Sequence, residues 1–148
     1  MKLYVAYGSN LNIEQMAMRC PDATIVGKGT IFDYALKYRG SKTGAYATII
    51  REKGARVPVV VWKISPRDEI NLDRYEGFPS FYYKKRMRVI MDNYKGLYAM
   101  CYIMNDKAQP GIPSNYYVRT ILTGYIENDL DVNVLIDSLE ENEKEVSQ

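Results

Sequence analysis

The sequence predicts one α+β domain, in which a mixed, mostly antiparallel, barrel-like sheet carries peripheral helices. Three observations support this fold class. Runs typical of strands cover most of the chain, and helical patterns are fewer and lie between or after them. The 148 residues, 47% of them apolar, are enough to fill one core. The sequence shows neither an internal repeat nor a linker that would divide the chain.

The N-terminal elements are predicted to be a strand and a short helix joined by a tight loop. Residues 3–7 form an apolar run that stops at the small and polar residues 8–10, which indicates a strand and a turn. Asn12 can cap the helix that follows, with Gln15 as its returning partner. Cys20, which precedes a proline, ends that helix.

The next segments are predicted to supply much of the sheet. Residues 24–39 alternate loosely and fit either one long strand or two short ones, and residues 40–44 favour a loop. Residues 46–51 and 57–64 predict two strands joined by a connection at residues 52–55. Because the second of these strands is apolar on both faces, we expect it to be central.

A capped helix and a hairpin are predicted in the middle of the chain. Ser65 precedes a proline and, three residues on, an acid, which are helix-start signals. Gly77 suits the left-handed position that ends a helix. Residues 82–91 and 97–105 predict two strands, and the turn at residues 92–96 makes them a β-hairpin.

The C-terminal part is predicted to be helical. Ser114 can cap a helix that contains Gly124, which disfavours a helix by about 1 kcal/mol relative to alanine, so we expect a close backbone approach there. Residues 132–139 predict a last amphipathic turn or two. The domain is therefore assigned to residues 1–139, and the acidic, apolar-poor residues 140–148 are expected to fray.

The composition excludes several classes of protein. Twenty Lys and Arg against 18 Asp and Glu give a net charge of +2, too little for a broad basic field. The absence of histidine excludes Ser-His-Asp and Cys-His catalysis and imidazole-dependent zinc sites. No apolar run approaches the ~18 residues of a membrane span, and no secretory leader is recognisable. Cys20 and Cys101 are expected to be free thiols in a reducing cytoplasm.

The tyrosine content is high, with 14 Tyr against three Phe and one Trp. A buried tyrosine hydroxyl needs a hydrogen-bond partner, whereas a purely apolar core favours Phe and Leu. The surplus therefore fits a pocket lined with hydroxyl groups or, equally, a small tyrosine-rich barrel.

The loop after the first strand is the first candidate site. Small residues let a backbone approach a ligand closely, and consecutive N–H groups at a helix start can bind an anion or an oxyanion. An ordinary turn is the alternative interpretation of the same composition. The residues of this loop are Tyr7, Gly8, Ser9, Asn10 and Leu11.

The second candidate is Glu76, which lies at the predicted end of a helix and between aromatic residues. The negative end of the helix dipole and apolar neighbours both disfavour a carboxylate and raise its pKa. A carboxyl group tuned in this way can act as a general acid or base. A solvated glutamate is the alternative interpretation.

A third feature is a basic strand face beside Tyr82, formed by Lys84, Arg86 and Arg88. Basic residues interleaved with aromatic ones can bind single-stranded nucleic acid. With a net charge of only +2, a solvated strand face is the better interpretation, and we expect no nucleic-acid partner.

Together these segments resemble the γ-glutamylcyclotransferase-like superfamily from residue 2 to about residue 130. Its substrate-binding loop is matched by Tyr7-Gly8-Ser9-Asn10-Leu11. Its catalytic-acid segment is matched by Leu72-Asp73, Tyr75-Glu76-Gly77 and Tyr83, and its late helix is similar to Pro113-Ser114 with Tyr117, Ile121 and Gly124. The first loop is that of the dipeptide-cleaving members, whereas Tyr75-Glu76-Gly77-Phe78-Pro79 is closer to the plant defence-related and γ-glutamylamine-cleaving branch.

The resemblance implies that superfamily's fold and a reaction in which a γ-glutamyl amide becomes 5-oxoproline and a free amine. It also implies that the substrate's α-amino group is the nucleophile, with no metal or other cofactor. Glu76 would carry the proton, and the loop N–H groups would stabilise the oxyanion. Tyr83, placed inward by strand parity with Met87, would help to bind the small γ-glutamyl substrate, with Tyr117 and Tyr102 as further candidates.

Other functions stay open at this point. A catalytically idle small-molecule-binding or regulatory member of the same fold is one, although such a protein would not need a tuned acid such as Glu76. A nucleic-acid binder that uses the basic strand face is another. The sequence does not name the amine released, and it leaves the oligomeric state open, with a homodimer among the states that it allows.

Overall fold

Five strands close into a barrel in the computed structural model, which describes residues 1–41, 44–105 and 107–148. Its strands are β1 (Lys2–Ala6), β2 (Thr24–Ser41), β3 (Gly44–Ile64), β4 (Tyr82–Met91), β5 (Gly96–Met104) and β6 (Gln109–Pro110). Within these ranges one sheet runs in the order β3-β1-β5-β4-β2-β6, and a further pairing of β2 with β3 closes the first five strands. Because β1 and β5 pair in parallel and the other pairs are antiparallel, the predicted fold class is confirmed.

Of the two alternatives for residues 24–39, the single long strand is confirmed, because β2 is continuous. The loop predicted at residues 40–44 includes residues 42 and 43, which lie outside the described residues. The residues that flank them belong to β2 and β3.

The connection predicted at residues 52–55 is wrong, because β3 is one continuous strand. These residues form an irregular bulge opposite Asp33, where the β2–β3 register shifts, and Gly54 adopts a φ of +86°. The Asp33 carboxylate accepts a hydrogen bond from the Gly54 N–H at 2.9 Å. A turn-like composition therefore stabilises a bulge here and does not end the strand.

The helices flank the barrel, and the predicted cap residues Asn12, Ser65 and Ser114 are confirmed. They are a 3₁₀ turn (Ser9–Leu11), α1 (Ile13–Arg19), α2 (Pro66–Glu76), α3 (Asn115–Glu127) and α4 (Val132–Ser147). Asn12 and Ser114 each accept a hydrogen bond from the backbone N–H three residues on. Ser65 and Asp68 form a reciprocal capping box, and Gly77 closes α2 with a φ of +65°.

The close approach predicted at Gly124 is confirmed. A Cβ atom on this residue would lie 2.7 Å from the Asn12 backbone nitrogen and 2.7 Å from Leu11. Asn128, just after α3, donates a hydrogen bond to the Leu11 carbonyl at 2.8 Å. α3 therefore crosses directly over the 3₁₀ turn and fixes the loop that follows β1.

The fraying predicted for residues 140–148 is wrong, because α4 runs through this segment to residue 147. Asn142 is buried and donates to the Gly111 carbonyl at 2.8 Å, and Glu145 pairs with Arg39 at 2.9 Å. The acidic composition reflects only the exposed side of α4, while the other side packs on β2 and the segment around β6.

The buried apolar side chains form one cluster that includes residues from each barrel strand and from α1, α2, α3 and α4. Cys20 and Cys101 are both buried and free, as expected. No helix in the part of the chain that the structure describes is both long and apolar enough to cross a membrane.

Candidate active site

A cavity of about 410 Å³ lies where the end of β1 meets the end of α2. The loop after β1 and the last turn of α2 form part of its wall. The rest comes from the start of β3 at Ala47, the start of β4 at Tyr82, β5 at Tyr102 and α3 at Tyr117. Segments from residue 4 to residue 117 thus meet at one concave place, as binding sites require.

The loop after β1 contributes Tyr7, Gly8, Ser9 and Asn10 to the cavity wall, as predicted. Leu11, predicted with these residues to bind substrate, does not line the cavity. Its side chain is fully buried against α3, and its N–H donates to the Gly8 carbonyl at 3.0 Å. Leu11 therefore anchors the loop to the core and does not face the cavity.

Two backbone N–H groups of this loop keep their hydrogen-bonding capacity. The N–H groups of Leu11 and Asn12 close the 3₁₀ turn by donating to the carbonyls of Gly8 and Ser9. Among the described residues, the N–H groups of Ser9 and Asn10 donate to no protein acceptor. Free N–H groups at the start of a helical turn can stabilise a negatively charged oxygen atom.

Gly8 holds the loop close to β3 and α3. A Cβ atom at this position would lie 3.3 Å from the Ala47 Cβ and 3.5 Å from the Tyr117 Oη. A larger side chain would therefore occupy space between these two wall residues, which is space that a ligand could otherwise fill.

Glu76 is the last residue of α2, and it is half-buried in the cavity wall. Burial disfavours its charged form and raises the pKa of its carboxyl group to about 7, while the positive charge of Arg19 acts in the opposite direction. The direction of the shift is the one that sequence analysis predicted. No protein hydrogen bond from the described residues contributes to it, so the carboxylate oxygens are available to a ligand.

Asp73, about one helical turn before Glu76, is engaged by protein partners. It accepts a hydrogen bond from the Tyr102 hydroxyl at 2.5 Å, and it pairs with Lys84 at 3.0 Å. Lys84 also pairs with Glu69 at 2.7 Å. One cation of the basic strand face considered for nucleic acid is therefore engaged by α2.

The tyrosine hydroxyls in the wall differ in which hydrogen-bonding capacity, donor or acceptor, remains free for a ligand. Tyr117 lines the cavity, as predicted, and its oxygen accepts a hydrogen bond from the Ala47 N–H at 2.9 Å, so its own proton stays available. Tyr82 and Tyr7 instead donate their protons to the carbonyls of Ala47, at 2.7 Å, and Tyr102, at 2.6 Å. The cavity therefore presents both a hydroxyl donor and hydroxyl acceptors.

The inward placement of Tyr83 is wrong. Tyr83 is 42% exposed, and its neighbour Tyr82 lines the cavity instead. Strand parity alone would place Tyr82 with Lys84 on the outer face of β4. At this end of β4 that face is covered, because α2 packs on it through Lys84. Both faces of β4 are thus partly buried, on different stretches, and parity with Met87 does not identify the cavity side.

The wall also contains residues that the sequence did not indicate as binding residues, which are Tyr4, Tyr46, Ala47, Arg74, Tyr75, Gly77, Phe81 and Tyr82. The surplus of tyrosine was the available signal, because seven of the 14 tyrosines line the cavity. This favours the hydroxyl-lined pocket among the two earlier interpretations. The composition does not tell which tyrosines take part, because that depends on tertiary contacts.

Metal ligands do not converge at this site. Within the residues that the structure describes, no group of three His, Cys, Asp or Glu side chains could hold a metal ion. Glu76 supplies the carboxyl group in the cavity wall.

Comparison with solved structures gives the class of protein. A chain named gamma-glutamyl cyclotransferase superposes with a TM-score of 0.85 at 28% sequence identity. The match covers 93% of this chain and 85% of that one, so the barrel and the elements around the cavity correspond almost throughout. The molecule therefore has the γ-glutamylcyclotransferase fold.

Sequence comparisons then identify the family. Residues 4–119 match the family described as gamma-glutamyl cyclotransferase, AIG2-like. The gamma-glutamylcyclotransferase of Homo sapiens is 34% identical over 137 residues, which cover 86% of this chain and 72% of the human protein. That of Bos taurus is 31% identical over 153 residues, which cover 95% and 80% of the two chains. The chain belongs to the gamma-glutamyl cyclotransferase, AIG2-like family, which confirms the resemblance found in the sequence.

Proposed function

We propose that the protein is a γ-glutamylcyclotransferase that converts a small γ-glutamyl amide into 5-oxoproline and a free amine. The observation that carries this proposal is Glu76, a carboxyl group with a pKa of about 7 that faces the cavity of a member of this family. Such a group is about half ionised at neutral pH. It can therefore both accept a proton and return it.

In the proposed reaction, the neutral α-amino nitrogen of the γ-glutamyl group attacks its own γ-carbonyl carbon. A C–N bond forms to close the ring, and the C–N bond to the leaving amine breaks. One proton moves from the attacking nitrogen to the leaving nitrogen, and Glu76 carries it. Atoms and charge balance without water or a redox partner, and the cavity contributes by holding nitrogen and carbonyl together.

The polar groups of the cavity suit the parts of such a substrate. The free proton of Tyr117 can bind the α-carboxylate. The free N–H groups of Ser9 and Asn10 suit the carbonyl oxygen, on which negative charge develops during attack. Tyr7 and Tyr82, whose protons are engaged by backbone carbonyls, keep lone pairs that can accept from the α-amino group.

Aromatic rings border the opening of the cavity. Tyr46, Tyr75 and Phe81 line it and are each more than one-third exposed, and Tyr46 packs edge-on against Phe81. Arg74, on the last turn of α2, adds a positive charge to the wall. The leaving amine would contact these groups, so its size and charge are the properties that a substrate survey should vary.

The test is a panel of γ-glutamyl compounds incubated with the purified chain and assayed for 5-oxoproline. The panel includes γ-glutamyl amino acids with small, aromatic and acidic side chains, a γ-glutamyl polyamine, a γ-glutamyl isopeptide of lysine, and glutathione. We expect product from at least one compound and none above background from Glu76→Gln. If calorimetry shows that a compound binds but no compound gives product, the enzymatic function is contradicted. The protein would then be a non-catalytic binding protein.

A further inference from the structure

Arg19, the last residue of α1, links two parts of the site that are distant in sequence. Its Nη1 donates to the Ser9 Oγ at 3.3 Å and to the Asn10 Oδ1. Its guanidinium carbon lies 3.4 Å from the centre of the Tyr75 ring. One side chain thus contacts both the loop after β1 and the residue that directly precedes Glu76.

The surrounding contacts hold Arg19 in this position. The Asn71 side chain donates to the Arg19 carbonyl at 3.0 Å, which ties the end of α1 to α2. The hydroxyls of Ser9 and Tyr75 lie 3.3 Å apart, which closes a ring of contacts through the guanidinium group. A planar group that stacks on an aromatic face while donating at its edge has a defined orientation, and a lysine could not reproduce it.

We propose that Arg19 is a positioning residue, which holds the loop after β1 against the end of α2, next to Glu76. The inference rests on the proposed function for its catalytic consequences. Its structural part, the effect of Arg19 on the loop and on Glu76, can be measured without any turnover.

The buried tyrosine and cysteine groups coupled to Glu76 are neutral near pH 7. Burial raises the pKa of each group that is coupled to the charge of Glu76 from β1, the loop after it, β4, β5 and α3. These groups are Tyr4, Tyr7, Tyr82, Cys101 and Tyr117. On α2 itself, Tyr75 and the exposed Arg74 precede Glu76. Arg19 is the cation that opposes the burial of Glu76, so its removal should leave the burial effect uncompensated.

The experiment compares Arg19→Gln and Arg19→Lys with Arg86→Gln. Arg86 is the matched control, because it also stacks on an aromatic ring, that of Tyr98 at 4.6 Å, but lies outside the cavity. The first readout is the titration of the Glu76 carboxyl carbon by NMR in glutamate-labelled protein, assigned by its loss in Glu76→Gln. The second is the pH profile of kcat and KM for the substrate found in the panel.

We expect Arg19→Gln to move the Glu76 titration upward by about one pH unit, the usual effect of losing one nearby opposite charge. The acidic limb of kcat should move with it, so that lost activity returns as the pH rises. Arg19→Lys should keep the titration near that of the wild type and raise KM, because the charge remains but the fork and the stacking are lost. Arg86→Gln should match the wild type in every readout.

An unchanged Glu76 titration in Arg19→Gln would overturn the electrostatic role, and an unchanged KM in both variants would overturn the positioning role. If Arg19→Gln does not fold, the KM of Arg19→Lys decides, and a wild-type KM there overturns the positioning role. Failure of the proposed function is a different result, since the panel would then give no product while the Glu76 titration still reports on Arg19.

Discussion

The carboxylates at the two ends of α2 differ in whether they are hydrogen-bonded to the protein. At the N-terminal end the carboxylates are engaged, since Asp22 accepts two hydrogen bonds from Arg67, at 2.6 and 2.7 Å, and one from Ser65 at 2.7 Å. Asp68, fully buried, accepts from the Ser65 N–H at 3.1 Å. At the C-terminal end, Glu76 faces the cavity with no hydrogen bond from the described protein residues.

The pKa values of the carboxyl groups at the two ends are therefore shifted in opposite directions. The hydrogen bonds from Arg67 hold the pKa of Asp22 at about 2, whereas burial raises that of Glu76 to about 7. Engaged carboxylates fix the start of the helix, and an unengaged one at its end is ready to exchange a proton. One helix thus separates what stabilises the fold from what reacts, and substitutions at its two ends should have different consequences.

The largest expected effect is that of Glu76→Gln. The amide keeps the size of the side chain but cannot accept the proton, so kcat should fall by about 10²- to 10⁴-fold. Substrate binding should persist, and the melting temperature should hold or rise, because a carboxylate leaves the negative end of a helix. Steady-state kinetics, calorimetric binding and thermal denaturation measure the three quantities.

Glu69→Gln is the matched control for this variant, since it removes a carboxylate of the same length two turns earlier on α2. Its kcat should stay close to that of the wild type. Near wild-type turnover in Glu76→Gln would contradict the assignment of Glu76 as the general acid–base. Another group would then have to carry the proton.

The second expected effect concerns the opposite end of the helix. Asp68→Ala leaves the N–H groups of Ser65 and Asp22 without their acceptor, so the free energy of unfolding should fall by about 1–3 kcal/mol. The kcat of the folded protein should be retained. Urea denaturation and turnover well below the melting temperature measure both, and a loss of kcat at unchanged stability would contradict the separation of the two ends.

The third expected effect is smaller and concerns two tyrosines. Tyr117→Phe removes the hydroxyl proton offered to the substrate carboxylate, so KM should rise by about tenfold. The Ala47 N–H also loses its acceptor, so stability should fall. Tyr83→Phe should change neither quantity, because Tyr83 lies outside the cavity. A raised KM in Tyr83→Phe would show that Tyr83 contributes to substrate binding.

The last expected effect is a pH dependence of stability. The folded protein holds the Glu76 proton up to about pH 7, whereas a solvated glutamate loses it near 4.5. Between these values the folded state binds more protons than the unfolded state, so stability falls as the pH rises. Relative to Glu76→Gln, the wild-type melting temperature should therefore decrease from pH 4.5 to 7. A constant difference over this range would show that the pKa is not raised.

Local signals predicted the helices well. The caps at Asn12, Ser65 and Ser114 and the end at Gly77 depend on residues within one turn, so the sequence contains all the information that sets them. The loop after β1 and the acid at the end of α2 were found for the same reason. Both are short segments whose residue types are tied to their local chemistry.

Errors occurred where distant segments decide. Tyr83 was placed inward because strand parity does not show that α2 covers the opposite face at this end of β4. Leu11 was assigned to the substrate because nothing local shows that α3 buries it. Gly54 indicated a turn because a bulge and a turn share the same left-handed requirement. The electrostatic effect of Arg19 on Glu76 likewise depends on the packing of α1 against α2.

The parallel pairing of β1 with β5 sets an order for folding. β1 lies between β3 and β5, with Tyr4 opposite Met100, so β1 gains its second neighbour only from a strand about 100 residues later in the chain. The β4–β5 hairpin can form locally, but the barrel closes only after β5, and Tyr117 reaches the cavity later still. A nascent chain therefore has no ligand site to guide it. A bound ligand stabilises only the finished barrel and gives no help to its intermediates.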